Sequence, residues 1–206
     1  MINGIIFDAD GTLLDSMGFW KNTVFDIIAM AGVGEPEPGL IEKLTPMSMY
    51  EGAVYMKERY GIEMPVDELI DRENMRVKVF YKSEVTLCPG MGELVEKIAE
   101  IGLPMTVATA TDREMIEYGL RRTEIIEKFK SVISCSDVGV GKESPDIFLH
   151  ACNVMVTTPE CTLVVDDSPR AIATAKSAGF QTYLIDDIKS AAVDILKMLQ
   201  SINKTV

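Results

Sequence analysis

The sequence predicts an α/β protein: a doubly wound, Rossmann-like parallel sheet with an α-helical block inserted after the first strand. Three observations carry this. The short apolar run Ile5-Ile6-Phe7 has the character of a buried strand and stops abruptly at Asp8 and Asp10. From Val85 onward, apolar runs of strand type alternate with helical periodicity, the pattern of right-handed βαβ units in a parallel sheet. Between them, from Ser16 to Lys82, no segment reads as a strand.

Each element has its own signal. In the inserted block, Phe19, Trp20, Val24, Phe25, Ile27 and Ile28 recur at helical spacing, and Ala31-Gly32-Val33-Gly34 with Pro36 and Pro38 ends that helix. Leu40 to Leu44 makes a short helical stretch before Pro46. Met49, Ala53, Val54 and Met56 mark an amphipathic helix stopped near Tyr60-Gly61. After Pro65 the helical period returns through Leu69, Ile70, Met75, Val79 and Phe80 to about Tyr81. Pro89-Gly90 then leads into a helix reaching Ile101, and Gly102-Leu103-Pro104 turns into a strand, Met105 to Ala108, that ends at Thr109-Ala110-Thr111. A helix follows through Met115, Ile116 and Leu120, then a short strand from Ser131 to Ser134. Ser144 is the expected N-cap and Pro145 the first residue of a helix running to Met155. Thr162 to Val165 reads as a buried strand ending at Asp166-Asp167-Ser168. Pro169 opens a helix closed near Gly179, and Gln181 to Ile185 is the last strand before a C-terminal helix. The expected division is a core of residues 1–15 and 86–206 and a helical cap of residues 16–85.

Bulk properties narrow the function. A chain of 206 residues, 47% hydrophobic and 25% charged, has the composition of a soluble globular protein. Its net charge of −12 argues against nucleic acid or an anionic membrane as partner. The four cysteines, Cys88, Cys135, Cys152 and Cys161, are scattered without a Cys-x-x-Cys pair, as expected of buried thiols in a reducing compartment. Neither a signal peptide nor a membrane span is expected, and the reading is a soluble, cytoplasmic, monomeric protein. His150, the sole histidine, falls mid-helix, which leaves histidine-based catalysis without support.

Chemistry concentrates at the strand ends. A parallel sheet brings ends of the same polarity to one edge, and open α/β sheets bind ligands there. The polar groups expected at that edge are Asp8, Asp10 and Thr12, then Thr109, then Lys142 in an adjacent loop, then Asp166 and Asp167. Two carboxylates at 4 Å repel by about 4 kcal/mol at an effective dielectric of 20, so such a cluster needs a cation or a chemical purpose. Taken singly, each group has a structural explanation: a helix cap at Asp166-Asp167-Ser168-Pro169, a solvated lysine, a strand-end hydroxyl. Asp-x-Asp-Gly also opens calcium loops, but with Gly11 at loop position six, positions one and twelve fall on Ile6 and Met17, neither a ligand.

The segments Asp8-Ala9-Asp10-Gly11-Thr12, Val107-Ala108-Thr109, Gly141-Lys142-Glu143-Ser144-Pro145-Asp146 and Val165-Asp166-Asp167-Ser168-Pro169-Arg170 resemble, in order, the four motifs of the haloacid dehalogenase superfamily. The resemblance spans essentially the whole chain, and the helical insertion is similar to that of its β-phosphoglucomutase and phosphoglycolate phosphatase branch. It implies a Mg²⁺-dependent phosphatase acting on a small phosphorylated metabolite. Asp8 would be the nucleophile, Asp10 the general acid and base, and Thr109 and Lys142 the groups that hold the phosphoryl oxygens. Asp8, the carbonyl of Asp10, Asp166 and Asp167 would supply oxygens to the metal. Thr12, Trp20, Met49, Thr109, Ala110 and Lys142 are the expected substrate contacts, and the cap methionines offer adaptable packing, some of it along a cleft. Two other functions remain open at this point: a sugar phosphomutase, with Arg72 and Arg76 as candidate grips for a second phosphate, and a non-catalytic phosphoacceptor resembling receiver modules.

Overall fold

The computed structural model describes residues 1–32, 35–44 and 47–203. Its centre is a five-stranded, wholly parallel sheet in the order β3-β2-β1-β4-β5. The strands are β1 (Gly4–Phe7), β2 (Met105–Thr109), β3 (Val132–Ser134), β4 (Thr162–Asp166) and β5 (Gln181–Leu184). Ten α-helices accompany them among the described residues: α1 (Met17–Met30), α2 (Leu40–Leu44), α3 (Met49–Tyr60), α4 (Val66–Ser83), α5 (Met91–Ile101), α6 (Arg113–Arg122), α7 (Cys135–Val138), α8 (Asp146–Met155), α9 (Pro169–Ser177) and α10 (Ile188–Asn203). None of them is long and apolar enough to cross a membrane.

The period of two along each strand sends alternate side chains to opposite faces. Ile5, Phe7, Met105, Val107, Leu163 and Val165 pack on one face with Leu94 and Ile98 of α5, Ile116 and Leu120 of α6, and Ile195 of α10. Ile6, Ala108, Ile133 and Val164 pack on the other with Ile147, Phe148 and Ala151 of α8 and Ala171 and Ala175 of α9. Both faces are therefore covered, which is why β1, β2 and β4 read as apolar runs without alternation. Fully burying each large side chain contributes about 1.5–3 kcal/mol.

Helices α1–α4 follow β1 directly and have a core of their own, made of Val24, Ile27, Ile28, Leu40, Met56, Ile62 and Leu69. Ser48 and Glu51 form a reciprocal capping box at the start of α3, and Gly61 closes that helix in the left-handed conformation. Helix α4 belongs to two cores at once. Its Leu69 packs in the helical block, whereas Val77 and Tyr81 pack with the sheet-side cluster. The Phe19 and Phe80 rings stack at 4.2 Å and tie α1 to the same end of α4. The two segments that enter and leave the block run side by side: Asp15 N–H donates to the Thr86 carbonyl and Cys88 N–H to the Leu13 carbonyl.

The sequence reading departs from the structure in small ways. Val33, Gly34 and Pro46, invoked as helix ends, lie outside the described residues. Helix α8 starts one residue later than expected, with Pro145 rather than Ser144 in the N-cap position. The Ser144 hydroxyl donates to Asp146 Oδ2 at 2.7 Å. Not every cap methionine packs: Met30 and Met75 are exposed. The short helix α7 was not anticipated, because four residues are too few to show a period.

Candidate active site

Register builds the site. Phe7 stands opposite Val107 on one side and Val165 on the other, so Asp8 and Asp166 leave the sheet side by side. The Asp8 N–H donates to the Val165 carbonyl at 2.9 Å and fixes the point where β1 ends. The chain then turns through Gly11, whose φ of +80° is in the left-handed region. A Cβ there would run into Asp167 Oδ2 and Met17 Cγ, so the turn needs glycine on both counts.

Three carboxylates meet at this edge. Oxygens of Asp8, Asp166 and Asp167 lie within 4.8 Å of one another. Lys142, buried with them, donates to Asp8 Oδ1 and to Asp166 Oδ2, the latter at 2.9 Å. Asp166 Oδ1 accepts from the Ser168 N–H at 2.8 Å, at the start of α9. Asp167 Oδ1 is buried and has no partner. Burial is the main reason the Asp8 carboxyl lies well above its ordinary range; Lys142 opposes the shift and the neighbouring acids add to it. Burial and the charge of Asp166 push Asp167 up to about 7. Burial works against the charge of Lys142, yet Asp166 and Asp8 outweigh it and hold the ammonium above its usual value.

This arrangement fits a divalent cation. Three carboxylates face one ammonium, and an oxygen of Asp167 is left buried without a donor. Mg²⁺ takes oxygen ligands, and carboxylates together with water are its usual set in proteins. Asp8, Asp166 and Asp167 are the residues that would hold it. The Asp10 carboxylate is not in that cluster.

Asp10 is held by hydroxyls instead. Ser16 Oγ donates to Oδ1 at 2.5 Å, Thr111 Oγ1 donates to Oδ2 at 2.8 Å, and Tyr81 OH also donates to Oδ1. The indole N–H of Trp20 donates to Tyr81 OH at 3.1 Å, which extends the network into α1. Burial and the Asp10 charge raise the Tyr81 phenol well above its usual value, so it stays a donor. Gly119 of α6 gives the Tyr81 ring its place, since a Cβ there would lie 2.9 Å from Tyr81 Cδ1. Thr109 Oγ1 accepts from the Thr111 N–H at 3.1 Å, leaving its own hydrogen free to donate.

Asp8 and Asp10 open onto a cavity of about 150 Å³ between the sheet edge and α1–α4. Trp20, Met49 and Ala110, expected as substrate contacts, line it, as do Met17, Met47 and Met56. Thr12, Thr109 and Lys142 are buried behind it and are not among its lining residues; Thr12 Oγ1 has no partner. Arg72 and Arg76 do not line it either. Arg76 is engaged by Asp26 at 2.6 Å and by Glu73 at 3.2 Å. His150 is exposed on α8, away from these groups.

Four functional candidates escaped the sequence reading: Ser16, Tyr81, Thr111 and Glu73. Tyr81 falls four residues after Val77 and reads as one more apolar member of the α4 stripe. Glu73 did leave a signal. It sits four residues from both Leu69 and Val77, which puts a carboxylate on the buried face of the helix.

With this geometry in place, similarity to known proteins is informative. The profile of the haloacid dehalogenase-like hydrolase family matches residues 2–179. A (DL)-glycerol-3-phosphatase 2 of Arabidopsis thaliana is 30% identical over 195 residues, covering 90% of this chain and 80% of the relative. A phosphorylated carbohydrates phosphatase of Thermotoga maritima is 25% identical over 181 residues, covering 87% and 83%. Among solved structures, a β-phosphoglucomutase from Clostridium difficile superposes with a TM-score of 0.80 over the full length of both chains at 16% identity, a likeness of fold. A family match across that much of the chain leaves no ground for the receiver-like reading, and the chain belongs to the haloacid dehalogenase-like hydrolase family.

Proposed function

We propose that this protein is a Mg²⁺-dependent phosphatase that hydrolyses a small phosphorylated metabolite through a phosphorylated Asp8. The observation that carries the reading is the pairing of two differently built carboxylates at one cavity mouth. Asp8 is bound to Lys142 among the acids, and Asp10 is bound only to hydroxyls. Relatives named as phosphatases of glycerol 3-phosphate and of phosphorylated carbohydrates support the same chemistry.

The roles follow from what each residue holds. An Asp8 oxygen attacks phosphorus, and the ester P–O bond breaks as the P–O bond to Asp8 forms. Asp10 gives its proton to the departing alkoxide oxygen. It then takes a proton from water as the water oxygen attacks phosphorus and releases Asp8 with inorganic phosphate. The Lys142 ammonium and the Thr109 hydroxyl stabilise charge on the phosphoryl oxygens. When bound by Asp8, Asp166 and Asp167, Mg²⁺ supplies the positive charge that lets a carboxylate approach an anionic ester. Ser16, Tyr81 and Thr111 orient the Asp10 carboxylate.

The helical block of residues 16–85 acts in this reading as a cap over the core of residues 1–15 and 86–206, bending at the paired segments near Leu13–Ser16 and Ser83–Cys88. Water is the phosphoryl acceptor. A mutase must hold a second phosphate while the first is transferred, and the arginines available for that do not line the cavity. The four free cysteines support a reducing, cytoplasmic setting.

Screening purified protein against phosphorylated metabolites with Mg²⁺, and measuring released phosphate, tests the reading. Turnover that is lost with a chelator is expected. Glucose 6-phosphate forming from β-glucose 1-phosphate faster than free phosphate would replace it with the mutase.

A further inference from the structure

Beyond Asp8 and Asp10, the cavity is walled mainly by apolar side chains of the helical block, among them Val24, Ile27, Leu44, Met56 and Leu69. Polar residues interrupt that wall, among them Ser48, which caps α3, Thr23 on α1 and Glu73 on α4. Thr23 and Glu73 are each only 3% exposed. Thr23 Oγ1 and Glu73 Oε1 are both buried without a hydrogen-bond partner. Glu73 is anchored through its other oxygen, which accepts from Arg76 Nη1 at 3.2 Å. Arg72 Nε stands 3.7 Å from Oε1, close enough for charge compensation and too far for a hydrogen bond.

A buried polar atom without a partner is destabilising. Apolar residues would fill the same wall without that cost, so two such atoms on residues that line one cavity point to a group that arrives with the ligand. The chemistry of that group is constrained. A carboxylate oxygen only accepts, whereas a threonine hydroxyl both donates and accepts. A ligand hydroxyl satisfies both, donating to Glu73 and accepting from Thr23. A ligand carboxylate or second phosphate would set a negative charge beside Glu73 in a site of low dielectric. An alkyl terminus would leave both atoms unpaired.

We propose that Thr23 and Glu73 form the specificity end of the cavity and select monophosphate esters whose distal end carries a hydroxyl, discriminating against a distal carboxylate or phosphate. This rests on the phosphatase reading of the same cavity, and it makes these two residues specificity determinants remote from the reacting atoms.

The test uses binding, so that it stands apart from turnover. Short alkylphosphonates of graded length, ending in a hydroxyl, a methyl or a carboxylate, are titrated calorimetrically into the Mg²⁺-loaded protein. At the best length, the hydroxyl probe is expected to bind about tenfold tighter than the methyl probe, with the carboxylate probe weakest. Thr23→Val should erase most of the preference for hydroxyl over methyl. Glu73→Gln removes the charge at nearly constant volume and should improve carboxylate binding about tenfold relative to methyl. Equal binding of the three probes, tightest binding of the carboxylate, or no binding of any overturns the proposal, whether or not the variants fold. Turnover of an aryl phosphate is read separately: its absence removes the phosphatase reading, while the probe preferences judge the specificity end.

Discussion

The two ends of the central cavity both contain buried polar atoms without partners, yet they ask for opposite things. At the sheet edge the atoms are Thr12 Oγ1 and an oxygen of Asp167, the latter beside two further carboxylates and a single lysine. At the helical end the lone atoms belong to Glu73 and Thr23, in a wall of methyl and methylene groups. The first setting has excess negative charge and calls for a cation. The second has one compensated carboxylate and calls for a hydrogen-bond donor without charge. Reaction and selection are thus divided between a sheet edge fixed by strand register and a helical wall fixed by side-chain packing.

The sharpest way to break this contrast is at Asp8. Asp8→Asn keeps the shape of the side chain and its contact with Lys142 but removes the nucleophile, so turnover should fall by about 10⁴-fold or more. Thermal melting should be retained, because Asp166 still pairs with Lys142 and one of three crowded carboxylates loses its charge, and probe binding among the cap helices should be retained because nothing there changes. Comparable turnover in this variant would take Asp8 out of the mechanism.

Lys142→Ala should have the next largest effect, and it strikes stability as well as rate. The ammonium is the cation that Asp8 and Asp166 share in a buried setting. Removing one partner of a buried ion pair typically costs about 3–5 kcal/mol, and losing a phosphoryl-stabilising group costs about 10²–10³-fold in kcat. Denaturant titration and steady-state kinetics measure the two separately. Full recovery of rate with added Mg²⁺ would show that Lys142 serves metal binding rather than the phosphoryl group.

Tyr81→Phe sharpens the comparison from the other side, since α4 carries both Tyr81 and Glu73. The ring remains seated over Gly119, and only the hydroxyl linking Trp20 to Asp10 is lost. A fall of about tenfold in kcat with KM little changed is expected, with a stability cost of about 1 kcal/mol. A KM effect alone would mean that Tyr81 contacts substrate instead of orienting Asp10.

A smaller effect concerns pH in the metal-free protein. The Asp167 carboxyl, ordinarily near 3.8, is pushed up to about 7 by burial and by Asp166. Between those values the folded protein holds a proton that the unfolded chain has released, so stability declines as pH rises from about 4 to 7. Saturating Mg²⁺ should reduce that decline by favouring the ionised form. Melting temperatures across this range, with and without metal, measure it. A metal-free melting temperature that rises steadily toward pH 7 would contradict the raised Asp167.

What the sequence disclosed follows the same division. Asp8, Asp10 and Asp166 stood out because strand ends are marked by abrupt changes from apolar to polar residues, and parallel topology brings those ends together; Lys142, in a loop beyond α7, stood out only through the resemblance of its segment to a family motif. The sheet itself was legible because its strands are buried on both faces. The helical wall was harder to read. Its residues obey one helical period whether they face a core or a cavity, so Trp20, Met49 and Met56 could be placed on helices but only partly distinguished from packing. Tyr81 was hidden by its own apolar bulk, and the start of α8 was read one residue early, at Ser144 instead of Pro145. Thr111 was passed over because the preceding Thr109 already accounted for a hydroxyl at the end of β2.

The most direct test of the central assignment is to trap the phosphorylated carboxylate. Reductive cleavage with borohydride during steady-state turnover converts an acyl phosphate at an aspartate to homoserine, and peptide mass spectrometry locates it. Homoserine is expected at position 8, dependent on both substrate and Mg²⁺, and at no other carboxylate. Homoserine at another aspartate, or continued phosphate release with position 8 unmodified by the trap, would contradict it.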